Sequence, residues 1–201
     1  MCALPENLVL QVVSEIHDPV TTTDELIPSG ETSSYRSNPL GLAEFTLSRK
    51  DPAYVGLAKE IHKAQEALMD GKDPVTVKPE LAEIMDEIHV QFPQAASCQK
   101  VLGGWANIAN EYATKRYRSN LINWGMLPFV IPDGDLPFTN HDYLFFPGIR
   151  KAVEEKAAEI TGYVVDANGL KPFNVTLGEL TDEERQIILK GCLINYNRVE
   201  K

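Results

Sequence analysis

Strand-like apolar runs are interspersed with amphipathic helical segments, and this mixture most strongly limits the fold. Residues 8–16 (LVLQVVSEI) are rich in Val and Leu, which predicts a buried strand. Shorter strands are expected at residues 126–131, 143–146, 163–165 and 173–177. The strands and helices do not alternate strictly, so the pattern permits an α/β or an α+β class. We take α/β as the expected fold class.

Helices are predicted where apolar residues recur every three or four positions. They are expected at residues 51–71, from about 79 to 88, at 149–161 and at 181–191. The last of these begins with Thr181 and Glu184, spaced as in a capping box. Residues 105–124 are ambiguous, and we interpret them as a short strand followed by a helix from about 112 to 124 that Gly125 ends. A long polar loop is expected at residues 17–39.

Composition excludes several classes of protein. The chain has 201 residues, which suits one domain or at most two small ones. Its 29 acidic and 19 basic residues give a formal charge of -10, which argues against nucleic acid as a partner. Three widely spaced cysteines predict neither a disulfide framework nor a zinc site. Without a signal peptide or an apolar stretch of about 18 residues, we expect a cytoplasmic protein with no membrane span.

Two segments contain the candidate functional residues. Residues 22–30 (TTDELIPSG) form a turn-rich stretch that Arg36 follows, and residues 118–128 (RSNLINWGMLP) lead from a helix into a strand. Taken alone, Arg36 is most simply a charged residue on the surface. The second segment is most simply a structural connection from a helix to a strand. No GxGxxG, Walker or GxSxG motif accompanies them.

Together with residues 102–104 (LGG), these segments resemble the C-terminal swivel domain of the aconitase superfamily, and most closely its bacterial hydratases. The family motif Thr-Asp-(His/Glu)-(Ile/Leu)-x-Pro-(Ala/Ser)-Gly matches at Asp24, and the family arginine twelve residues later matches Arg36. Its Arg-Ser-Asn-Leu…Gly-(Met/Leu)-Leu-Pro stretch matches from Arg118 onward. The order and spacing of all three motifs agree, over most of the chain.

The resemblance implies a swivelling β/β/α three-layer domain spanning residues 1–201 and a role for several residues. Arg36 would grip a substrate carboxylate through two parallel hydrogen bonds. Asp24 would orient the acid–base network and is the implied catalytic residue, while Thr23, Ser29 and Arg118 would support substrate binding. The [4Fe-4S] cofactor would be bound by cluster-bearing domains or a large subunit, the implied partner, and the substrate would be a small hydroxy-carboxylate.

The sequence departs from the family where the base serine and a second arginine are expected. The family's Gly-Ser-(Ser/Ala)-Arg-Glu loop, with the strand before it, would fall near residues 89–96, which read HVQFPQAA. Two explanations remain open: the protein lacks the loop, or roughly 10–20 residues are missing from the sequence between Pro93 and Gln94. We prefer the second, because losing a central strand would leave backbone groups unpaired.

Three hypotheses for function follow. The first is a swivel domain of a cluster-dependent hydro-lyase that is inactive alone. The second is a binding or regulatory module that kept the fold and lost the Ser/Arg loop. The third is a small-acid-binding protein that uses Arg36 alone.

Overall fold

The computed structural model describes residues 3–18, 25, 30, 33–35, 37–91, 105–112, 114–132 and 134–198. The strands are β1 (Leu8–Gln11), β2 (Ala106–Ala109), β3 (Leu127–Val130), β4 (Tyr143–Phe146), β5 (Ile160–Asp166) and β6 (Gly169–Val175). The α-helices are α1 (Pro39–Ala43), α2 (Tyr54–Met69), α3 (Leu81–Gln91), α4 (Lys115–Asn123), α5 (Ile149–Glu154), α6 (Asp182–Lys190) and α7 (Leu193–Tyr196). Ser33–Tyr35 and Pro74–Thr76 form single 3-10 turns.

Within the described residues, the strands form two sheets. Four antiparallel strands pair in the order β1-β4-β5-β6, and β2 pairs with β3 in parallel. Parallel strands need a crossover connection, and α4 lies in the chain between β2 and β3. A bridge between Val130 and Thr176 joins the end of β3 to the segment after β6.

The four-stranded sheet is covered on both faces, so β4 (YLFF) is buried at all four positions. Alternate residues of a strand point to opposite faces. On one face Leu144 and Phe146 pack with β2, β3, α5 and α6. On the other, Tyr143 and Phe145 pack with α2 and α3. The rings of Phe129 in β3 and Phe146 in β4 stack with centroids 4.8 Å apart, which fixes the small sheet against the large one.

The structure confirms the mixed α/β content that the sequence predicts. The strand at residues 143–146 and the capping box of Thr181 and Glu184 are both present. Gly125 follows α4 with φ +75°, in the left-handed region that ends helices.

The predicted helix over residues 149–161 is wrong in its second half. Helix α5 ends at Glu154, and Ile160 begins strand β5. Lys156 has φ +59°, a left-handed conformation that reverses the chain after the helix. The apolar residues at 157 and 160 keep the helical spacing by coincidence, because Ile160 is buried as a strand residue.

Candidate functional site: the carboxyl edge of the parallel strands

Tyr112, which follows β2 in the chain, reaches back to Asn107, the second residue of β2, and to Phe129, the third residue of β3. The Tyr112 hydroxyl donates to the backbone oxygen of Asn107 at 2.8 Å and lies 3.1 Å from that of Phe129. One phenol therefore bridges the two parallel strands. The segment after the carboxyl end of a parallel strand, where Tyr112 stands, is where such sheets commonly place ligand-binding groups.

Tyr117, in the first turn of α4, extends this cluster. The Asn107 side-chain amide donates to the Tyr117 hydroxyl at 3.3 Å, and the rings of Tyr112 and Tyr117 lie 6.1 Å apart. Burial raises the pKa of both phenols above their ordinary value, so both stay neutral near pH 7. The cluster offers neutral hydroxyl and amide groups.

Arg118 is the described member of the residues that the sequence assigns to substrate binding. It is half-buried, and its Nη2 donates to the backbone oxygens of Leu177 at 2.9 Å and Glu179 at 2.7 Å. The guanidinium thereby holds the turn between β6 and α6 against α4. The structure thus gives Arg118 a definite structural role.

The other expected site residues lie outside the described residues. These are Thr23, Asp24, Ser29 and Arg36. Residues 92–104, which include the LGG motif and the expected position of the Ser/Arg loop, lie outside them too. The roles of these residues therefore remain predictions.

Lys50 forms an ion pair with the first motif at Glu25. Its ammonium pairs with Asp18 and, at 3.0 Å, with Glu25, the residue after Asp24 in the chain. The Asp18 hydrogen bond, followed by that of Glu25, raises the pKa of Lys50. Lys50 thus connects the two carboxylates on either side of residues 19–24.

A shallow, open depression of about 660 Å³ lies between the α5–β5 and β6–α6 connections. It is lined by Lys156, Ala157, Ala158, Thr176, Gly178, Glu179, Leu180 and Arg185. Both of its cations have partners within the protein: Lys156 pairs with Asp182 at 2.6 Å, and Arg185 donates to the Val153 oxygen at the end of α5. We interpret this depression as a surface feature rather than a binding site.

Two features are absent from the described residues. No group of three or more His, Cys, Asp or Glu side chains there could hold a metal ion, so none of them offers a cage for an iron–sulfur cluster. No helix in that part of the chain is both long and apolar enough to cross a membrane.

Comparisons with known proteins do not assign the chain to a family. No protein-family model matches this sequence, and neither does any curated protein.

The sequence analysis does not predict the polar network of Asn107, Tyr112 and Tyr117. Residues 105–110 showed strand alternation and residues 112–124 helical composition, but nothing indicated that a tyrosine between them would bridge two strands. A weak signal existed in the concentration of Asn and Tyr at residues 107–117, directly after a predicted strand.

Proposed function

We propose that this chain is the swivelling β/β/α domain of a [4Fe-4S]-dependent hydro-lyase. It would close over a hydroxy di- or tricarboxylic acid bound at a cluster that other domains or a partner subunit hold, and it would be inactive alone. The observation that carries the proposal is the ordered agreement of three sequence motifs with the aconitase swivel domain: residues 22–36, 102–104 and 118–128.

The local structure of the third motif is consistent with this proposal. Residues 118–123 lie in α4, Gly125 turns the chain, and residues 127–130 form β3. The turn needs glycine on two counts: φ is +75°, and a Cβ would collide with the Gly191 carbonyl oxygen. Both constraints explain why a glycine stands between α4 and β3.

Arg36 would bind a substrate carboxylate, because a guanidinium offers two parallel donors and stays charged at any physiological pH. Asp24 would hold a cationic or imidazole partner in the orientation that proton transfer requires. The cluster, when bound by the partner, would supply Lewis acidity toward the substrate hydroxyl. Arg118 would act mainly by fixing the turn at residues 177–179 beside the site.

The direct test combines the chain with its cluster-bearing domains or subunit and follows the ultraviolet absorbance of the alkene product over a panel of hydroxy acids. We expect activity that requires both parts. Arg36→Lys should lower kcat/KM at least tenfold, because one ammonium cannot replace the bidentate grip. Arg198→Lys, an exposed arginine far along the chain, is the matched control. Unchanged kinetics in Arg36→Lys would refute the role of Arg36.

A second candidate function is a non-catalytic module that binds a small acid. Residues 89–96 contain no Gly-Ser-x-Arg, so a chain of this sequence lacks the expected base and second arginine. Titration calorimetry of the chain alone with di- and tricarboxylates separates the candidates. Millimolar or tighter binding that Arg36→Ala abolishes favours the binding module, whereas no binding alone together with activity in the complex favours the hydro-lyase domain.

A further inference from the structure

The tip of the β5–β6 hairpin carries the dipeptide Asn168-Gly169. Asn168 is the only asparagine in the sequence that a glycine follows. The ladder closes with Asp166 opposite Gly169, so Ala167 and Asn168 form a two-residue loop, and both are exposed. Gly169 has φ +113°, in the region that favours glycine. The turn therefore requires a glycine directly after an exposed asparagine.

A glycine at this position leaves the asparagine side chain open to attack by the backbone. The nucleophile is the amide nitrogen of Gly169 and the electrophile is Cγ of Asn168, so that a five-membered ring closes. A side chain on the second residue crowds this ring, and a β-branched one does so most because two heavy atoms stand on its Cβ. Glycine has no Cβ. Asn174 in β6 provides the contrast, because Val175 follows it.

The position of Gly169 at the end of a ladder lets its nitrogen move. Within the described residues, β6 is an end strand of the four-stranded sheet and pairs there with β5 alone. The pair of Asp166 and Gly169 is the last of that ladder. Hydrogen bonds at such an end open at a much lower free energy than global unfolding requires. The Gly169 nitrogen can therefore reach Asn168 while the rest of the sheet stays folded.

A carboxylate faces Asn168 inside the turn. Asp166 accepts a hydrogen bond from the Asn168 backbone amide at 2.7 Å, and its other oxygen lies 2.7 Å from the Lys171 ammonium. The Lys171 hydrogen bond, followed by the backbone amide and then the side-chain amide of Asn168, lowers the pKa of the Asp166 carboxyl. This carboxyl is therefore ionised at neutral pH, and the uncharged Asn168 amide is one of the groups that stabilise it.

We propose that Asn168 is a site of spontaneous deamidation, where the folded protein converts its own asparagine to aspartate and isoaspartate. The Gly169 nitrogen bonds to Asn168 Cγ, the bond from Cγ to the side-chain nitrogen breaks, and that nitrogen leaves as ammonia with the proton that Gly169 loses. One solvent water then opens the succinimide ring. Water at Cγ gives aspartate, and water at the backbone carbonyl carbon gives isoaspartate, whose main chain runs through Cγ.

The products disturb the turn in two ways. A carboxylate at position 168 replaces an amide beside Asp166, and two like charges there disfavour each other. Lys171 can pair fully with only one of them. Isoaspartate also adds one atom to the backbone of a two-residue loop, whose length sets the register of the hairpin. Deamidation should therefore loosen β6 at its end of the sheet.

Peptide mapping by mass spectrometry tests the proposal on the purified chain, kept folded at neutral and at mildly alkaline pH for days to weeks. Each peptide that contains asparagine is followed for the gain of one mass unit. We expect Asn168 to deamidate at least about tenfold faster than the control Asn174, because Val175 crowds the ring there. The rate should rise with pH, because the Gly169 nitrogen attacks after losing its proton. Fragmentation should reveal isoaspartate as well as aspartate.

Two variants of the exposed turn separate the reaction from its consequence. Asn168→Gln would have to close a six-membered ring, so it should remove the fast modification. Asn168→Asp carries the new charge without the added backbone atom, so its urea midpoint should lie between those of the parent and of the isoaspartate form. Equal rates at Asn168 and Asn174, no isoaspartate among the products, or a rate that does not rise with pH would each overturn the proposal. A deamidated chain with the parent's midpoint would refute the loosening of β6.

Discussion

Helices α4 and α6 have the same length and similar ends, but they begin in opposite ways. Each has nine residues, a threonine N-cap and a left-handed glycine at its end, Gly125 or Gly191. Helix α6 starts with three acids inside a complete capping box, whereas α4 starts with Lys115 and Arg116 and no acid. Local rules of helix stability explain α6 fully. They do not explain α4, whose first turn makes contacts outside the helix.

The outside contacts of α4 account for much of the difference. Tyr117 accepts from Asn107 in β2, and Arg118 donates to the carbonyls of Leu177 and Glu179. Side chains that serve these partners cannot also be the acids that the helix dipole favours. The comparison indicates that α6 stabilises the fold by its own ends, while α4 connects β2, β3 and the 177–179 turn.

The largest effect is expected where the two helices meet. Gly125→Ala would bring a methyl group into the Gly191 carbonyl oxygen and strain a φ of +75°. Overpacking and the left-handed backbone together should lower the free energy of unfolding by about 3–4 kcal/mol, measured by urea denaturation. Gly71→Ala is the control, because its φ is +74° with no atom within 4 Å of the added Cβ. It should cost only about 1 kcal/mol, and equal losses would contradict the close helix contact.

A smaller loss of stability is expected when the hydrogen bonds between α4 and the 177–179 turn are removed. Arg118→Met keeps much of the side-chain length and removes two charge-assisted hydrogen bonds, so the free energy of unfolding should fall by about 2 kcal/mol. Thermal and urea unfolding measure it, and Arg116→Met is the control because Arg116 is exposed. If Arg118→Met unfolds like the parent, Arg118 does not hold the turn and its guanidinium is available for a ligand, as the family resemblance implies.

The sequence predicts elements whose signals are local. The Thr181–Glu184 box and the four apolar residues of β4 needed no knowledge of the rest of the chain. The end of α5 could not be predicted, because the residue that reverses the chain is Lys156 rather than glycine. The Asn107–Tyr112–Tyr117 network depends on the pairing of β2 with β3, which periodicity does not specify. Asp24 and Arg36 were found by resemblance and remain outside the described residues.

The two N-caps provide a finer comparison. The Thr181 hydroxyl accepts from the Glu184 amide at 3.2 Å, and the Glu184 carboxylate accepts from the Thr181 amide at 2.8 Å. The Thr114 hydroxyl accepts from the Tyr117 amide at 3.2 Å with no reciprocal bond. Thr181→Ala should therefore cost about 1–1.5 kcal/mol and Thr114→Ala about 0.5–1 kcal/mol in urea unfolding. A larger loss at Thr114 would show that the cap of α4 does more than close a helix.

The smallest expected effect on stability tests the first turn of α4 directly. Arg116→Glu replaces a base by an acid near the positive end of the helix, as in α6, so the protein should gain about 0.5 kcal/mol in free energy of unfolding at low salt. Urea denaturation at low and high salt measures the gain, which should shrink as salt screens the helix dipole. A variant less stable than the parent at low salt means instead that Arg116 makes a favourable contact within its own chain, and the difference between the first turns of α4 and α6 would then lie in that contact.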